Sequence, residues 1–179
     1  MRRKNSMKGL FLPLILFVLL IAESIATELL PNNVLLELYF IPHWVLVFSV
    51  IITLYYDQEH SYAGILYGAI FAFISELVYT DLLGVYLFAY GVSLYGVHLF
   101  KKLLHVNFLV TLLLVFYALI VCEFLIYGTY FLIGVIDLPI KEYLMERLTP
   151  TVLMNLLFFI MIFPYFSKKL TKWKEQPKR

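Results

Sequence analysis

The chain has 179 residues, of which 63% are hydrophobic and 15% are charged, and its formal net charge is +2. Water-soluble domains are about 45–50% apolar and about 25% charged, so this composition excludes a soluble globular protein and indicates a multi-pass membrane protein. The basic residues flank apolar stretches and form no single face, which argues against a nucleic-acid-binding surface.

The basic residues also predict how the chain is oriented. All but Lys141 and Arg147 fall in three short clusters between apolar stretches. Basic residues in short loops stay on the cytoplasmic side of a membrane. We therefore predict that both termini and the middle loop are cytoplasmic, which requires an even number of crossings. The three clusters are Arg2, Arg3, Lys4 and Lys8; Lys101 and Lys102; and Lys168, Lys169, Lys172, Lys174, Lys178 and Arg179.

Six segments reach or nearly reach the roughly 20 mostly apolar residues that a membrane-spanning helix needs. We interpret the first as an uncleaved span, because its apolar run continues to Leu30, beyond the short apolar core of a signal peptide. The sequence thus predicts one integral-membrane domain, 1–179, that is an all-α bundle of six transmembrane helices. The predicted spans are 9–30, 35–56, 62–79, 82–100, 106–127 and 151–166.

Proline and glycine interrupt two of these apolar stretches. Pro42 either kinks the second span or marks the start of its regular part. The stretch that begins the fifth span continues far beyond one crossing, and we expect Gly128 and Gly134 to break or tilt it. A span to about residue 127 would then be followed by an interfacial piece.

The segment before the last span is predicted to be a short amphipathic helix outside the membrane. Residues 139–148 mix apolar positions with four charged ones. Thr149 and Pro150 follow in the order of an N-cap residue and a proline at the first helical position. The last span is therefore expected to start as a separate helix.

Three acids, Glu23, Glu76 and Glu123, fall within predicted spans. A carboxylate at the centre of a bilayer costs several kcal/mol unless it is protonated or partnered. No Lys or Arg lies in a span core, so we expect protonation, hydrogen bonds to Tyr, Ser, Thr or His, or a water-filled groove. Glu76 is either a groove or partner contact or a helix-to-helix hydrogen bond, whereas for Glu23 and Glu123 we favour the helix-to-helix bond.

Glycines in the third and fourth spans predict close helix packing. Gly64 and Gly68 form a small-xxx-small pair, and Gly84 and Gly91 lie seven residues apart on one face of the next span. Such positions let helix backbones approach closely. We favour packing of spans 3 and 4 against each other within the chain, with a homodimer seam as the open alternative.

The sequence offers no catalytic or metal-binding pattern. His43, followed by Trp44, is interpreted as an anchor at the membrane interface, where aromatic residues are favoured. No nucleophile motif, zinc-protease motif or phosphate loop is present. The single cysteine, Cys122, excludes an internal disulfide and is expected to be a small packing residue. We therefore predict a protein that is not an enzyme and holds neither cofactor nor metal.

Two stretches of sequence resemble the MreD family of bacterial rod shape-determining membrane proteins. In the stretch 64–91, GILYGAIFAFISELVYTDLLGVYLFAYG, Glu76 stands where the family usually has Asp, and Asp81 and Gly84 follow. The stretch 148–170, LTPTVLMNLLFFIMIFPYFSKKL, also resembles the family. Size, number of spans and lack of a soluble domain agree over the whole chain.

The resemblance implies a role in cell elongation at the bacterial cytoplasmic membrane. Such proteins pair with MreC, a bitopic membrane protein, and act with MreB filaments, RodA and a class B penicillin-binding protein to organise lateral peptidoglycan synthesis. Their bundle is similar to the substrate-binding subunits of energy-coupling vitamin transporters. That similarity supplies the alternative function, a small-molecule (vitamin) binding subunit of a transporter.

The resemblance and the residue pattern together give a set of candidate contact residues. We expect the third and fourth spans to line a groove where a partner's transmembrane helix docks, and basic residues to meet membrane lipids or the filament side. The groove candidates are Glu76, Asp81, Gly84, Gly64, Gly68 and Gly91, and the basic candidates are Lys101, Lys102, Lys168 and Lys169.

Overall fold

The computed structural model describes residues 3–29, 40–58, 61–80 and 82–175, and every regular element in these ranges is helical. One short helix and a π-helical turn join the fifth and last long helices. The elements are α1 (Arg3–Leu29), α2 (Trp44–Tyr55), α3 (Ala63–Tyr79), α4 (Val85–Leu103), α5 (Phe108–Leu132), α6 (Ile140–Glu142), the π turn (Tyr143–Leu148) and α7 (Thr149–Lys174).

The six longer helices are consistent with the predicted membrane bundle. In the described part of the chain, three helical stretches are long and apolar enough to cross a membrane: Phe11–Leu29, Phe108–Leu132 and Ile140–Lys174. Trp44–Tyr55 and Ala63–Tyr79 are apolar but shorter. The fold class predicted from composition, an all-α membrane protein, is confirmed.

The short helix α2 lies at the centre of the bundle. Every residue from Val45 to Leu54 is buried, and α2 contacts α1, α3, α4, α5 and α7. At 1.5 Å per residue its 12 residues extend for about 18 Å, well short of a hydrocarbon core of about 30 Å. The regular part of this span starts directly after Pro42 and His43, and its predicted first residues, 35–39, lie outside the described residues.

Side chains of α7 satisfy the non-helical backbone that precedes α2. Ile41 N donates to Thr151 Oγ1 at 3.2 Å, and His43 N donates to Asn155 Oδ1 at 2.7 Å. Asn155 Nδ2 donates to Ile41 O at 2.8 Å. Irregular backbone at membrane depth is tolerated only where protein satisfies its polar groups, and these bonds meet that condition.

The beginning of α1 and the end of α7 lie at the same end of the bundle. The rings of Phe11 and Trp173 lie 6.0 Å apart. At that end the carboxyl ends of α2 and α4 also meet, since Lys101 Nζ donates to Thr53 O. An even number of crossings requires this arrangement. We call it the basic end, because it carries Lys101, Lys102, Lys168, Lys169 and Lys172, and we call the opposite end the distal end.

Two predicted helix boundaries are wrong. Helix α5 passes through Gly128 without a break and ends before Gly134, whose φ of 74° is the left-handed conformation typical of a helix end. Thr149 is not an N-cap, because the helix continues from α6 through the π turn into α7. The Thr149 N–H and hydroxyl both donate to Leu144 O. The last span is therefore also longer than predicted, reaching Lys174.

Candidate helix-docking surface and the buried acids

Glu76 is fully buried between α3 and α4. Its Oε2 accepts from Gly84 N at 2.9 Å and its Oε1 accepts from Tyr86 N at 2.5 Å. The first N–H groups of a helix lack partners within the helix, and a carboxylate there is also favoured by the helix dipole. Both oxygens thus face the start of α4. Asp81, predicted to act beside Glu76, lies outside the described residues.

Two further acids accept hydrogen bonds from backbone amides at the starts of the neighbouring helices in the same way. Glu23 Oε1 accepts from Val45 N at 2.7 Å, at the start of α2. Asp57 accepts from Ala63 N at 3.1 Å and from Gly64 N at 3.0 Å, at the start of α3. Burial raises the pKa of the Asp57 carboxyl, and these hydrogen bonds oppose that shift. The sequence interpretation missed this role because it considered side-chain partners for the acids and not backbone amides.

Glu123 is the centre of a buried polar cluster at the distal half of the bundle. Its Oε1 lies 2.7 Å from His43 Nε2, while Oε2 accepts from Tyr143 OH at 2.5 Å and from Arg147 Nε at 3.3 Å. His43 Nδ1 lies 3.1 Å from Tyr90 OH. The cluster therefore joins α2, α4, α5 and the π turn.

This cluster corrects two expectations. His43 is not an interfacial anchor, because it is 1% exposed and both ring nitrogens have partners in the bundle. The sequence predicts Arg147 in a segment outside the membrane, whereas in the structure it forms an ion pair with the buried Glu123 of α5. The sequence feature that could have indicated this pair is Glu123, an acid within a predicted span, followed by Arg147 beyond a chain reversal at Gly134.

Gly64 and Gly68 bring α3 against α2. A Cβ on Gly64 would lie 2.7 Å from Thr53 N and 2.9 Å from Ser49 O, both on α2. A Cβ on Gly68 would lie 3.0 Å from Ser49 Oγ and would also meet Leu94 of α4. The expectation that this pair packs spans 3 and 4 against each other is thus incomplete, because α2 is its main neighbour.

Gly84 and Gly91 have open space instead. A Cβ at either position would meet no atom within 4 Å, apart from the excluded neighbours along the helix. Gly84 has a φ of 101° and precedes the first residue of α4, so the turn from α3 needs a left-handed conformation there. Gly91 lies half-exposed on the middle of α4. It therefore leaves a shallow gap in the helix surface.

Exposed apolar side chains surround this gap at helical spacing. Positions that repeat every three or four residues share one face of a helix. Gly91 and its neighbours form what we call the α4 stripe, and α3 carries a similar exposed series. The α4 stripe consists of Phe88, Gly91, Val92, Tyr95 and Leu99, and the α3 series consists of Leu66, Ile70, Phe73 and Leu77.

The four predicted basic contacts differ in their surroundings. Lys101 Nζ donates to Thr53 O at 2.7 Å and to Asp57 O at 2.8 Å, so it binds one carbonyl in the last turn of α2 and one just beyond that helix. Lys169 lies over the rings of Tyr165 and Trp173. The remaining two, Lys102 and Lys168, are exposed.

The structure also describes where the cysteine and the candidate metal ligands lie. Cys122 is fully buried in α5. In the ranges that the structure describes, no three His, Cys, Asp or Glu side chains are grouped so that they could hold a metal ion. The acids are placed for hydrogen bonding to backbone and side chains.

Comparison with known proteins gives one consistent result. A family model described as "rod shape-determining protein MreD" matches residues 7–173. The rod shape-determining protein MreD of Bacillus subtilis (strain 168) is 29% identical over 170 residues, which cover 93% of this chain and 97% of that relative. No solved structure matches the chain. The matched region includes the α4 stripe, the buried cluster and all six longer helices except the first residues of α1 and the last residue of α7.

Proposed function

This chain belongs to the MreD family of bacterial rod shape-determining proteins, and we propose that it serves there as a non-enzymatic scaffold of the wall-elongation machinery. The family has a role in cell shape, and its members are structural proteins of bacterial membranes. This assignment favours the scaffold over the alternative of a vitamin-binding transporter subunit. The scaffold would organise lateral peptidoglycan synthesis by holding other membrane proteins in place.

The proposed topology is a single domain, 1–179, that crosses the cytoplasmic membrane six times with both termini inside the cell. The contact between Phe11 and Trp173 supports it, because both described chain ends lie at the basic end. Lys141 and Arg147 lie at the other end, where few basic residues are expected on the outer side.

The proposed partner is the transmembrane helix of an MreC-like bitopic protein, docked on the α4 stripe. The observation that carries this proposal is the open gap at Gly91 within a row of exposed apolar side chains. Small residues let helix backbones approach, and large apolar neighbours then supply dispersion contacts. MreB filaments, RodA and a class B penicillin-binding protein would act in the same elongation machinery. Lys102 and Lys168 would contact lipid headgroups on the inner side of the membrane.

A substitution that fills the gap tests this docking. Gly91→Leu adds a side chain into open space, so we expect the fold to be unchanged while a docked helix is pushed away. Recovery of the tagged MreC-like partner in co-purification should fall at least about tenfold, which corresponds to about 1.4 kcal/mol. The thermal unfolding temperature of the purified variant shows whether its fold is intact.

Gly128→Leu is the matched control. Gly128 lies on α5, and a Cβ there also meets no atom within 4 Å, so the same change is made on another surface. This variant should keep its partner and should restore rod shape to depleted cells. Equal partner recovery with Gly91→Leu and Gly128→Leu would show that the α4 stripe is not the docking surface.

A further inference from the structure

A cavity of about 340 Å³ opens at the distal end, between α1, residues 41–43, α3 and α4. Ligand pockets commonly measure about 300–1,000 Å³, so this cavity suits a small molecule or a headgroup. It is lined by two acidic side chains, four Ser or Thr hydroxyls, three tyrosines, a histidine and three apolar residues. The residues that matter for its chemistry are Glu23, Glu28, His43, Tyr79, Tyr86 and Tyr90.

Glu28 gives the lining a negative charge that no described basic residue balances. No Lys or Arg is among its described residues, and the sequence has none at 30–39 or at 81, which adjoin the lining residues along the chain. Glu23 is buried and its Oε1 already accepts from Val45 N at the start of α2, so Glu28 is the acid available to a ligand. Glu28 is exposed and has no ion pair with a described residue.

Nearby groups that could carry positive charge are already engaged. His43 directs one ring nitrogen to Tyr90 and the other to Glu123. Arg147 donates to the same Glu123 carboxylate and does not line the cavity. A phosphate or carboxylate ligand would therefore meet the Glu28 carboxylate and find no free cation among the described lining residues.

The tyrosines provide a complementary surface for a cation. The ring centroids of Tyr86 and Tyr90 lie 6.4 Å apart. Tyr79 lines the cavity from α3, where it hydrogen-bonds to Ser24 of α1. The faces of tyrosine rings attract ammonium groups, and such rings combined with carboxylates are typical of sites for organic cations.

We propose that this cavity binds an alkylammonium group. The group has two sources, a free amine or the amine headgroup of a membrane lipid. The bond between Ser24 and Tyr79 joins α1 and α3 at the side of the cavity. This inference does not depend on partner docking, because the cavity and the α4 stripe share no lining residue.

Thermal unfolding of the purified full-length protein with ethanolamine tests the proposal. Ethylene glycol is the matched neutral probe, since it has a hydroxyl in place of the ammonium group. Ethanolamine should raise the unfolding temperature in a saturable manner, and ethylene glycol should not. Equal effects of the two probes, or no effect of ethanolamine, would overturn the proposal.

Substitution of the exposed acid locates the site. Glu28→Gln keeps the shape of the side chain and should weaken ethanolamine binding about tenfold by removing one charge near the cation. Glu142→Gln removes an exposed acid of α6 outside the cavity and should leave binding unchanged, as should Gly91→Leu. Equal weakening by Glu28→Gln and Glu142→Gln would place binding elsewhere and reject the cavity.

Nanodiscs separate the two sources of the amine. If the ligand is a lipid headgroup, phosphatidylethanolamine should stabilise the wild-type protein more than phosphatidylglycerol does, and Glu28→Gln should lose the difference. Stabilisation by soluble ethanolamine without a lipid difference assigns the site to a free amine. Stabilisation by phosphatidylglycerol alone would contradict a cation site.

Discussion

At the scale of single residues, the buried acids replace the water that helix starts would otherwise bind. Glu23, Asp57 and Glu76 each accept hydrogen bonds from the first amides of α2, α3 and α4. In hydrocarbon an unsatisfied amide costs several kcal/mol, so a carboxylate from a neighbouring segment both satisfies it and complements the helix dipole. Acids inside apolar spans thus have a structural use that does not require a groove.

Replacement of Glu76 should destabilise the turn between α3 and α4. Glu76→Ala leaves the amides of Gly84 and Tyr86 without an acceptor, and each buried unsatisfied group costs about 1–3 kcal/mol. We expect the free energy of unfolding in mixed detergent and SDS micelles to fall by about 2–4 kcal/mol. Glu76→Gln should cost less, because its carbonyl oxygen still serves one amide.

Glu142→Ala is the control for this comparison. Glu142 is exposed in α6, and substitution of such surface residues usually changes stability by about 0.5 kcal/mol or less. If Glu76→Ala were as stable as Glu142→Ala, the buried carboxylate would not be supporting α4.

At the scale of the helices, α2 is a short central element on which the others pack. It is too short to cross the bilayer as a helix, and residues 40–43 complete its path with bonds to Thr151 and Asn155 of α7. Gly64 lets α3 approach α2 so closely that the α2 backbone itself fills the space of a side chain. The central position of α2 therefore depends on polar side chains of α7 and on a glycine of α3, which has no side chain.

Addition of a single methyl group should reveal this close approach. Gly64→Ala places a Cβ 2.7 Å from Thr53 N, and backbone atoms cannot rotate away, so α3 must shift from α2. Overpacking of this kind costs about 1–3 kcal/mol. The unfolding free energy in micelles should fall by that amount.

Gly91→Ala makes the same chemical change in open space. It should leave stability unchanged or raise it by about 0.5–1 kcal/mol, because alanine favours helix more than glycine does. Equal destabilisation of Gly64→Ala and Gly91→Ala would mean that helix interior glycines, and not the contact with α2, set the effect.

At the scale of the whole molecule, hydropathy predicts which segments are apolar enough to span the bilayer. It does not predict features that depend on hydrogen bonds within the protein. The six apolar segments could be predicted because a span must be apolar over the membrane thickness. The late start of α2 after Pro42 could not, because it depends on hydrogen bonds to α7. The continuous passage through Thr149 could not either, because Thr149 bonds to Leu144 O of the preceding turn and does not cap a new helix. The approach of Arg147 to Glu123 could not be predicted either, since it occurs only after the chain reverses.

The site residues also differ in how much of their role the sequence predicts. Gly64 and Gly68 were predicted as packing positions, but their main neighbour, α2, depends on the three-dimensional arrangement. Gly91 was predicted to share a face with Gly84, whereas only the structure distinguishes its open surroundings from the crowded ones of Gly64. Partner docking on the α4 stripe remains a proposal that rests on this difference.

The placement of both chain ends inside the cell is the claim on which the scaffold role depends. It is tested by single cysteines in a background where the buried Cys122 is replaced by Ser. Lys174→Cys reports on the basic end and Glu142→Cys on the distal end, and both positions are exposed. With a membrane-impermeant maleimide on intact protoplasts, we predict labelling at position 142 and none at 174 until the membrane is lysed. Labelling at position 174 before lysis would contradict the topology and the scaffold role built on it.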